Sequence, residues 1–216
     1  MLAGSAVGQD ATQYERIAVI AIVDYRAGNL TSVKKALDRV GAESFITSDP
    51  EAIADAEKIV LPGVGHFAAT KVLATSGMRS ALEGAIQRQV PFLGICVGMQ
   101  WLFESSEESP ETPGLGLFAG QCEHFPAEVK SPHVGWNDLV LEGSSRLLAN
   151  VPQNSFVYFT HTYRAPVVTC SVARCEYGGA FSAAVERGHV FGVQFHPEKS
   201  GEVGLTILRN FHELSC

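Results

Sequence analysis

The chain is short of positive charge: Lys and Arg together number 16 against 23 Asp and Glu, a formal net charge of -7 over 216 residues. No basic cluster offsets phosphate repulsion, which argues against nucleic acid and anionic membrane surfaces as partners. Cysteine is scarce, with five residues (Cys96, Cys122, Cys170, Cys175 and Cys216), an odd number and no CxxC pair. That fits neither a disulfide framework nor a zinc site; no metal or cofactor is expected, and a reducing cytoplasm is the simplest location. The first fifteen residues hold Asp10 and Glu15 but lack both a basic start and an apolar centre. They read as neither signal peptide nor membrane anchor, and residues 1–16 are expected to form a mobile tail. At 46% hydrophobic and 18% charged, the chain supports one soluble domain with a large core over residues 17–216.

What is present begins with IAVIAIVDY, residues 17–25, almost continuously apolar and rich in β-branched side chains, as in a strand buried on both faces of a parallel sheet. A loop through Arg26 and Gly28 leads into a helical spacing of apolar residues at Leu30, Val33, Ala36, Leu37 and Val40, stopped by Gly41. Strand and helix patterns then alternate: strands at 44–46 and 58–61, helices at 68–73 and 78–89, and a strand at 90–93. This order predicts an α/β fold, a mostly parallel sheet flanked by helices whose strand C-termini form a ligand crevice. Beyond Phe103 the pattern changes to an acidic loop and then strand-like pieces at 122–125, 137–141, 156–161 and 167–175, with a hairpin of 181–186 and 189–195 across Arg187-Gly188. The second half is therefore expected to add an antiparallel extension, closed by a helix at about 203–212.

Within this frame, Gly94-Ile95-Cys96-Val97-Gly98-Met99-Gln100 sets a cysteine at the turn from strand to helix. Flanking glycines permit a sharp nucleophile elbow, and a helix continuing through Trp101, Leu102 and Phe103 would set its N-terminal N–H groups against the thiolate. Taken alone, the motif reads equally as a buried structural cysteine between packing glycines. Pro62-Gly63-Val64-Gly65, directly after a strand, is either a plain connection or an anion-binding concavity of backbone N–H groups. A thiol nucleophile needs an imidazole and a carboxylate to orient it. His196 and Glu198 follow a buried strand, and in extended geometry, held by Pro197, residues two apart point to one side. His66, His124, His133, His161, His189 and His212 lack that spacing and read as surface or loop residues.

Together, residues 94–100, 62–65 and 196–200 resemble the motifs of class I (triad-type) glutamine amidotransferases. Within that class the chain is similar to the glutaminase subunits of imidazole glycerol phosphate synthase. The likeness is carried by Asp24-Tyr25 with Gly28-Asn29-Leu30, Gly135-Trp136-Asn137, Tyr158-Phe159-Thr160-His161 and Gln194 to Ser200 followed by Gly204-Leu205, and it covers the chain from about Ile17 onward. The resemblance implies hydrolysis of L-glutamine to glutamate and ammonia, with Cys96 as nucleophile, His196 as base then acid, and Glu198 as orienter. It also implies an oxyanion hole from the N–H of Val97 and one from Gly63, Val64 or Gly65. Gln100, Glu108, Thr162 and Tyr163 would contact the amino-acid end of glutamine.

The implied partner is a (β/α)8-barrel cyclase subunit, in a heterodimer. Trp136, Asn137, Tyr158 and Lys199 are expected near that interface, because amphipathic aromatics are favoured there. Two departures stand out: the family usually has Leu where Val97 stands and commonly Gly-Met where this chain has Arg26-Ala27. The glutaminase of pyridoxal phosphate synthase typically has a Gly-Gly-Glu-Ser turn in place of Pro62-Gly63-Val64-Gly65. Thiol peptidases of related fold usually lack a carboxylate two residues after the histidine. A non-catalytic regulatory subunit is expected to have lost the nucleophile or the base, and both stand in this chain.

Overall fold

The computed structural model describes residues 18–215, so the expected tail at residues 1–16 lies outside the described part. The chain order is β1 (Ile20–Val23), α1 (Leu30–Arg39), β2 (Ser44–Thr47), α2 (Pro50–Ala54), β3 (Lys58–Gly63), a 3-10 turn (Phe67–Thr70) running into α3 (Lys71–Thr75), and α4 (Met78–Gln87). Next come β4 (Phe92–Cys96), α5 (Val97–Gln100), β5 (Ser105–Ser106), β6 (Gln121–His124), β7 (His133–Asp138), β8 (Val140–Leu141), β9 (Phe156–His161) and β10 (Tyr163–Arg164). The chain finishes with β11 (Ser171–Glu176), β12 (Ala180–Arg187), β13 (Val190–Val193), a second 3-10 turn (Pro197–Lys199) and α6 (Gly201–Glu213).

An eight-stranded sheet runs β2-β1-β3-β4-β13-β12-β11-β8, parallel from β2 to β13 and antiparallel beyond. Every residue of β1, β3, β4 and β13 is buried, which is why these stretches, Lys58 at the start of β3 apart, carry continuous apolar runs rather than alternation. β2 is an edge strand, and its Phe45 and Ile46 are exposed. Helix α1 buries Val33, Ala36 and Leu37, the stripe that its spacing predicts, and Asn29 caps it by accepting from the Ser32 N–H. A separate two-stranded pair, β7 with β9, lies beside the main sheet, and β6 joins β10 and β5 in a third. The register sets Gly63 beside Cys96 and Ile95 beside Val193, so β3, β4 and β13 all deliver their C-terminal ends to one edge.

Several local expectations are corrected. Of the strand expected over 17–25, Ile17 lies outside the described residues, and among residues 18–25 only Ile20–Val23 form β1. The helix expected to continue through Phe103 stops at Gln100: α5 is a single turn, and the chain then bends back to bond Leu115 N–H to the Trp101 carbonyl. A one-turn helix carries little macrodipole, so the helix-dipole argument for activating the thiol loses its basis. Residues 167–170 form a loop in which the Ser171 hydroxyl accepts from the Val168 N–H, so β11 starts only at Ser171.

Candidate active site

The elbow is built by steric exclusion. Cys96 has φ 54 and ψ -110, a backbone conformation that L-residues rarely adopt, held by β4 on one side and α5 on the other. Gly98 makes this possible, since a Cβ there would overlap the carbonyl oxygen of Leu61 in β3. Gly63 is required for the same reason, because a Cβ on it would run into Val97 Cβ and the Tyr25 hydroxyl. Strands β3 and β4 can therefore approach the elbow only with glycine at both places.

Around Cys96, buried at 3% exposure, the Gln194 amide Nε2 lies 3.7 Å and the Thr160 carbonyl 4.0 Å from Sγ. His196 enters from the end of β13 and is 1% exposed, with Nδ1 2.8 Å from Glu198 Oε1. The pair is not extended as its spacing suggested. Pro197–Lys199 forms a 3-10 turn that curls Glu198 back under the imidazole, so proline starts a turn here instead of prolonging a strand. The other ring nitrogen, Nε2, and Glu198 Oε2 are buried, with no hydrogen-bond partner within normal distance among the described residues. Burial disfavours the imidazolium, but the neighbouring Cys96 and Glu198 outweigh it and raise the His196 pKa to about 10. Tyr25, fully buried below the elbow, has its phenol pushed upward by burial and by the charge of Cys96.

A pocket of about 230 Å³ opens at this edge, lined by Gly65, Cys96, Val97, Gln100, Glu108, Pro132, Thr160, His161, Thr162 and Tyr163. It thus gathers the elbow cysteine, all four residues expected at the amino-acid end of glutamine, and two of the four expected oxyanion residues. Gly63 instead ends β3 inside the sheet, and half-buried Val64 does not line the pocket. Glu108 accepts from the Phe67 N–H at 2.6 Å, which ties the acidic loop to the segment after Gly65. Gln100 is buried and gives its Nε2 to the Tyr163 carbonyl at 2.8 Å and to Gln194 Oε1 at 3.1 Å.

Of the expected interface residues, Trp136 is 53% exposed and stands edge-on to Tyr158 at 6.1 Å, while the Lys199 ammonium lies over the Tyr158 ring. Asn137 takes the opposite face of β7 and turns inward, donating to the Glu176 carbonyl at 3.2 Å. His133 and His161, read from the sequence as surface or loop residues, are buried at 5% and 6% exposure. Strand alternation in 156–161 was the signal available: Val157, Phe159 and His161 share the buried face. Gln194 carries part of the family likeness but has no role legible in the sequence, although it lies two residues before His196 on the same buried segment. Arg26 adopts φ 66, which accounts physically for the glycine that the family commonly has there.

The sheet order and elbow define the class, and a family model described as Glutamine amidotransferase class-I matches residues 21–214. Solved structures with this fold include one titled as PurLQS from Thermotoga maritima, at TM-score 0.70, 22% identity and coverage of 91% of this chain and 98% of that one. Another, titled as a glutamine amidotransferase, aligns at TM-score 0.66 and 22% identity, over 82% of this chain and 90% of the other. The imidazole glycerol phosphate synthase subunit HisH of Methanothermobacter thermautotrophicus is 44% identical over 197 residues, 91% of this chain and 98% of that protein. The HisH subunit of a Synechococcus species is 47% identical over 201 residues, 90% of this chain and 93% of the relative. The chain belongs to the class I glutamine amidotransferase family, in the group of HisH subunits.

Proposed function

We propose that this chain is the glutaminase subunit of an imidazole glycerol phosphate synthase, hydrolysing L-glutamine to L-glutamate and ammonia for histidine biosynthesis. Its single amidotransferase domain, residues 17–216, works in the cytoplasm as a heterodimer with a (β/α)8-barrel cyclase subunit that consumes the ammonia. Cys96, as the thiolate partner of the His196 imidazolium, attacks the γ-carboxamide carbon through Sγ, its proton already resting on His196 Nε2. The N–H groups of Val97 and Gly65 hold the oxyanion, an interaction whose loss typically costs on the order of 100- to 1,000-fold in rate. The tetrahedral adduct collapses as His196 protonates the departing nitrogen, releasing ammonia and leaving a γ-glutamyl thioester. Water, deprotonated by His196, then cleaves the thioester to glutamate and regenerates the thiolate. Glu198 keeps Nδ1 protonated and stabilises the imidazolium throughout.

The observation that carries this reading is the buried His196–Glu198 pair, whose imidazole is close enough to the strained Cys96 for the two side chains to interact. The Trp136, Tyr158 and Lys199 face is the proposed docking surface for the cyclase. The test is ammonia release from L-glutamine by wild type and Cys96→Ala, each with and without the cyclase. Release that the partner stimulates and that disappears in the variant is the expected result; activity surviving in Cys96→Ala overturns the mechanism.

A further inference from the structure

Between the β7–β9 pair and the elbow runs a chain of hydrogen bonds whose direction is decided at both ends. Asn137 accepts from the Asp138 N–H through its amide oxygen at 3.0 Å, so its Nδ2 must be the group facing the Glu176 carbonyl and His133 Nε2, the latter at 3.4 Å. His133 Nε2 is then an acceptor, and its Nδ1 carries the proton. That proton points at His161 Nε2, 3.1 Å away. At the far end, His161 Nδ1 is 2.9 Å from the Tyr163 carbonyl, which can only accept. Both derivations agree on one tautomer for each ring, Nδ1–H, with both rings neutral.

The Tyr163 carbonyl is the junction, because Gln100 Nε2 donates to it as well. The second Nε2 hydrogen of Gln100 goes to Gln194 Oε1, and Gln194 Nε2 in turn faces Cys96 Sγ. With both its N–H bonds committed, Gln100 has only its amide oxygen left for the pocket that it lines. An acceptor there suits the α-ammonium group of an amino acid, and Glu108 adds a carboxylate to the same wall. The rings sit among Phe125, Phe159, Tyr177 and Phe181. Burial lowers the pKa of His133 to about 4 and that of His161 to about 3, with His196 and Arg164 further repelling a proton from His161 against the Tyr163 carbonyl, which favours one.

We propose that His161 and His133 are positioning residues for the glutaminase reaction: as a neutral Nδ1–H pair they pin the corner of residues 161–163 and so orient Gln100 toward substrate and Gln194 toward the thiol. The inference rests on the glutaminase reading above and adds the polarity of the network, which specifies an acceptor for the substrate's ammonium end. Replacing His161 by Phe keeps an aromatic ring in an aromatic surround but deletes the donor to Tyr163. His161→Asn keeps an N–H donor in the place of Nδ1.

Two measurements on the full chain test this. In the complex with the cyclase, His161→Phe is expected to raise KM for L-glutamine about tenfold while kcat changes less, and His161→Asn to recover most of the loss. Nitrogen NMR of the ¹⁵N-histidine-labelled wild type, without glutamine, is expected to show His133 and His161 as Nδ1–H tautomers that do not titrate between about pH 5 and 8. Nε2–H tautomers, titration in that window, or a folded His161→Phe whose KM stays within about twofold of wild type overturns the inference. If His161→Phe does not fold, the wild-type spectrum decides. A dead Cys96→Ala beside an unchanged KM in His161→Phe refutes this inference alone, whereas an active Cys96→Ala refutes the glutaminase mechanism whatever the tautomers.

Discussion

The backbone of His196 is bonded to that of Tyr158: the His196 N–H donates to the Tyr158 carbonyl at 2.9 Å. Ser200 completes the link, its hydroxyl donating to the His196 carbonyl at 2.6 Å and accepting from the Tyr158 N–H at 3.0 Å. The His196 imidazole is therefore mounted on β9, and β9 carries Tyr158, which forms an aromatic face with Trp136 of β7. These three hydrogen bonds couple the position of that face to the position of His196.

Ser200→Ala removes the bridge and leaves the Tyr158 N–H without its acceptor. It is expected to lower stability by about 1–3 kcal/mol, measured by urea unfolding, and to reduce kcat more than it raises KM, since the moving part is the base. An unchanged kcat would show that the His196–Tyr158 bond alone fixes the imidazole.

Glu198→Gln keeps the shape of the buried pair but removes the charge that stabilises the imidazolium. The side chain is 1% exposed, so water does not replace it. Glutaminase kcat is expected to fall by on the order of 100- to 10,000-fold with KM little changed. The His196 pKa should also drop, seen as a shift in its NMR titration.

Acid stability should respond to His133 and His161. Their folded pKa values, about 4 and about 3, lie below the ordinary histidine value, so the unfolded chain binds protons that the folded chain refuses. Their contribution is fully present above about pH 6.5 and is lost as pH falls toward 3, at up to about 1.4 kcal/mol per pH unit for each group. His196 behaves oppositely: raised to about 10, it contributes below pH 6.5 and loses that contribution as pH rises through 10. Unfolding free energies of wild type and His161→Asn between about pH 4 and 6 should differ in slope, the variant being the flatter.

The docking proposal predicts a separation of affinity from stability. Trp136 projects into solvent, and Val134 and Phe156 beside it are similarly exposed. Trp136→Ala should weaken binding to the cyclase by about 2 kcal/mol or more while changing the stability of the free chain by less than about 0.5 kcal/mol. Isothermal calorimetry and thermal unfolding would measure the two. Unchanged affinity would place the interface elsewhere.

Much of this was legible in one dimension. Continuous apolar runs mark β1, β3, β4 and β13 because strands buried on both faces need no alternation, and the glycines flanking Cys96 mark the sharp elbow, while the close approach of β3 to it at Gly63 and Gly98 came only with the structure. The order of strand, turn and helix placed Cys96 and the Pro62 turn at one edge, and the proximity of His196 to Glu198 in the chain identified them as a pair. What the sequence could not supply was direction over long separations. The 3-10 turn at Pro197 decides how Glu198 reaches Nδ1, since proline is compatible with both an extended path and a first helical turn. The inward turn of Asn137, the burial of His133 and His161 and the link from Gln194 to Gln100 depend on which strands lie side by side. Only the tertiary structure decides those neighbours, because hydrogen-bond polarity is a property of pairs brought together by packing and not of the residues taken one at a time.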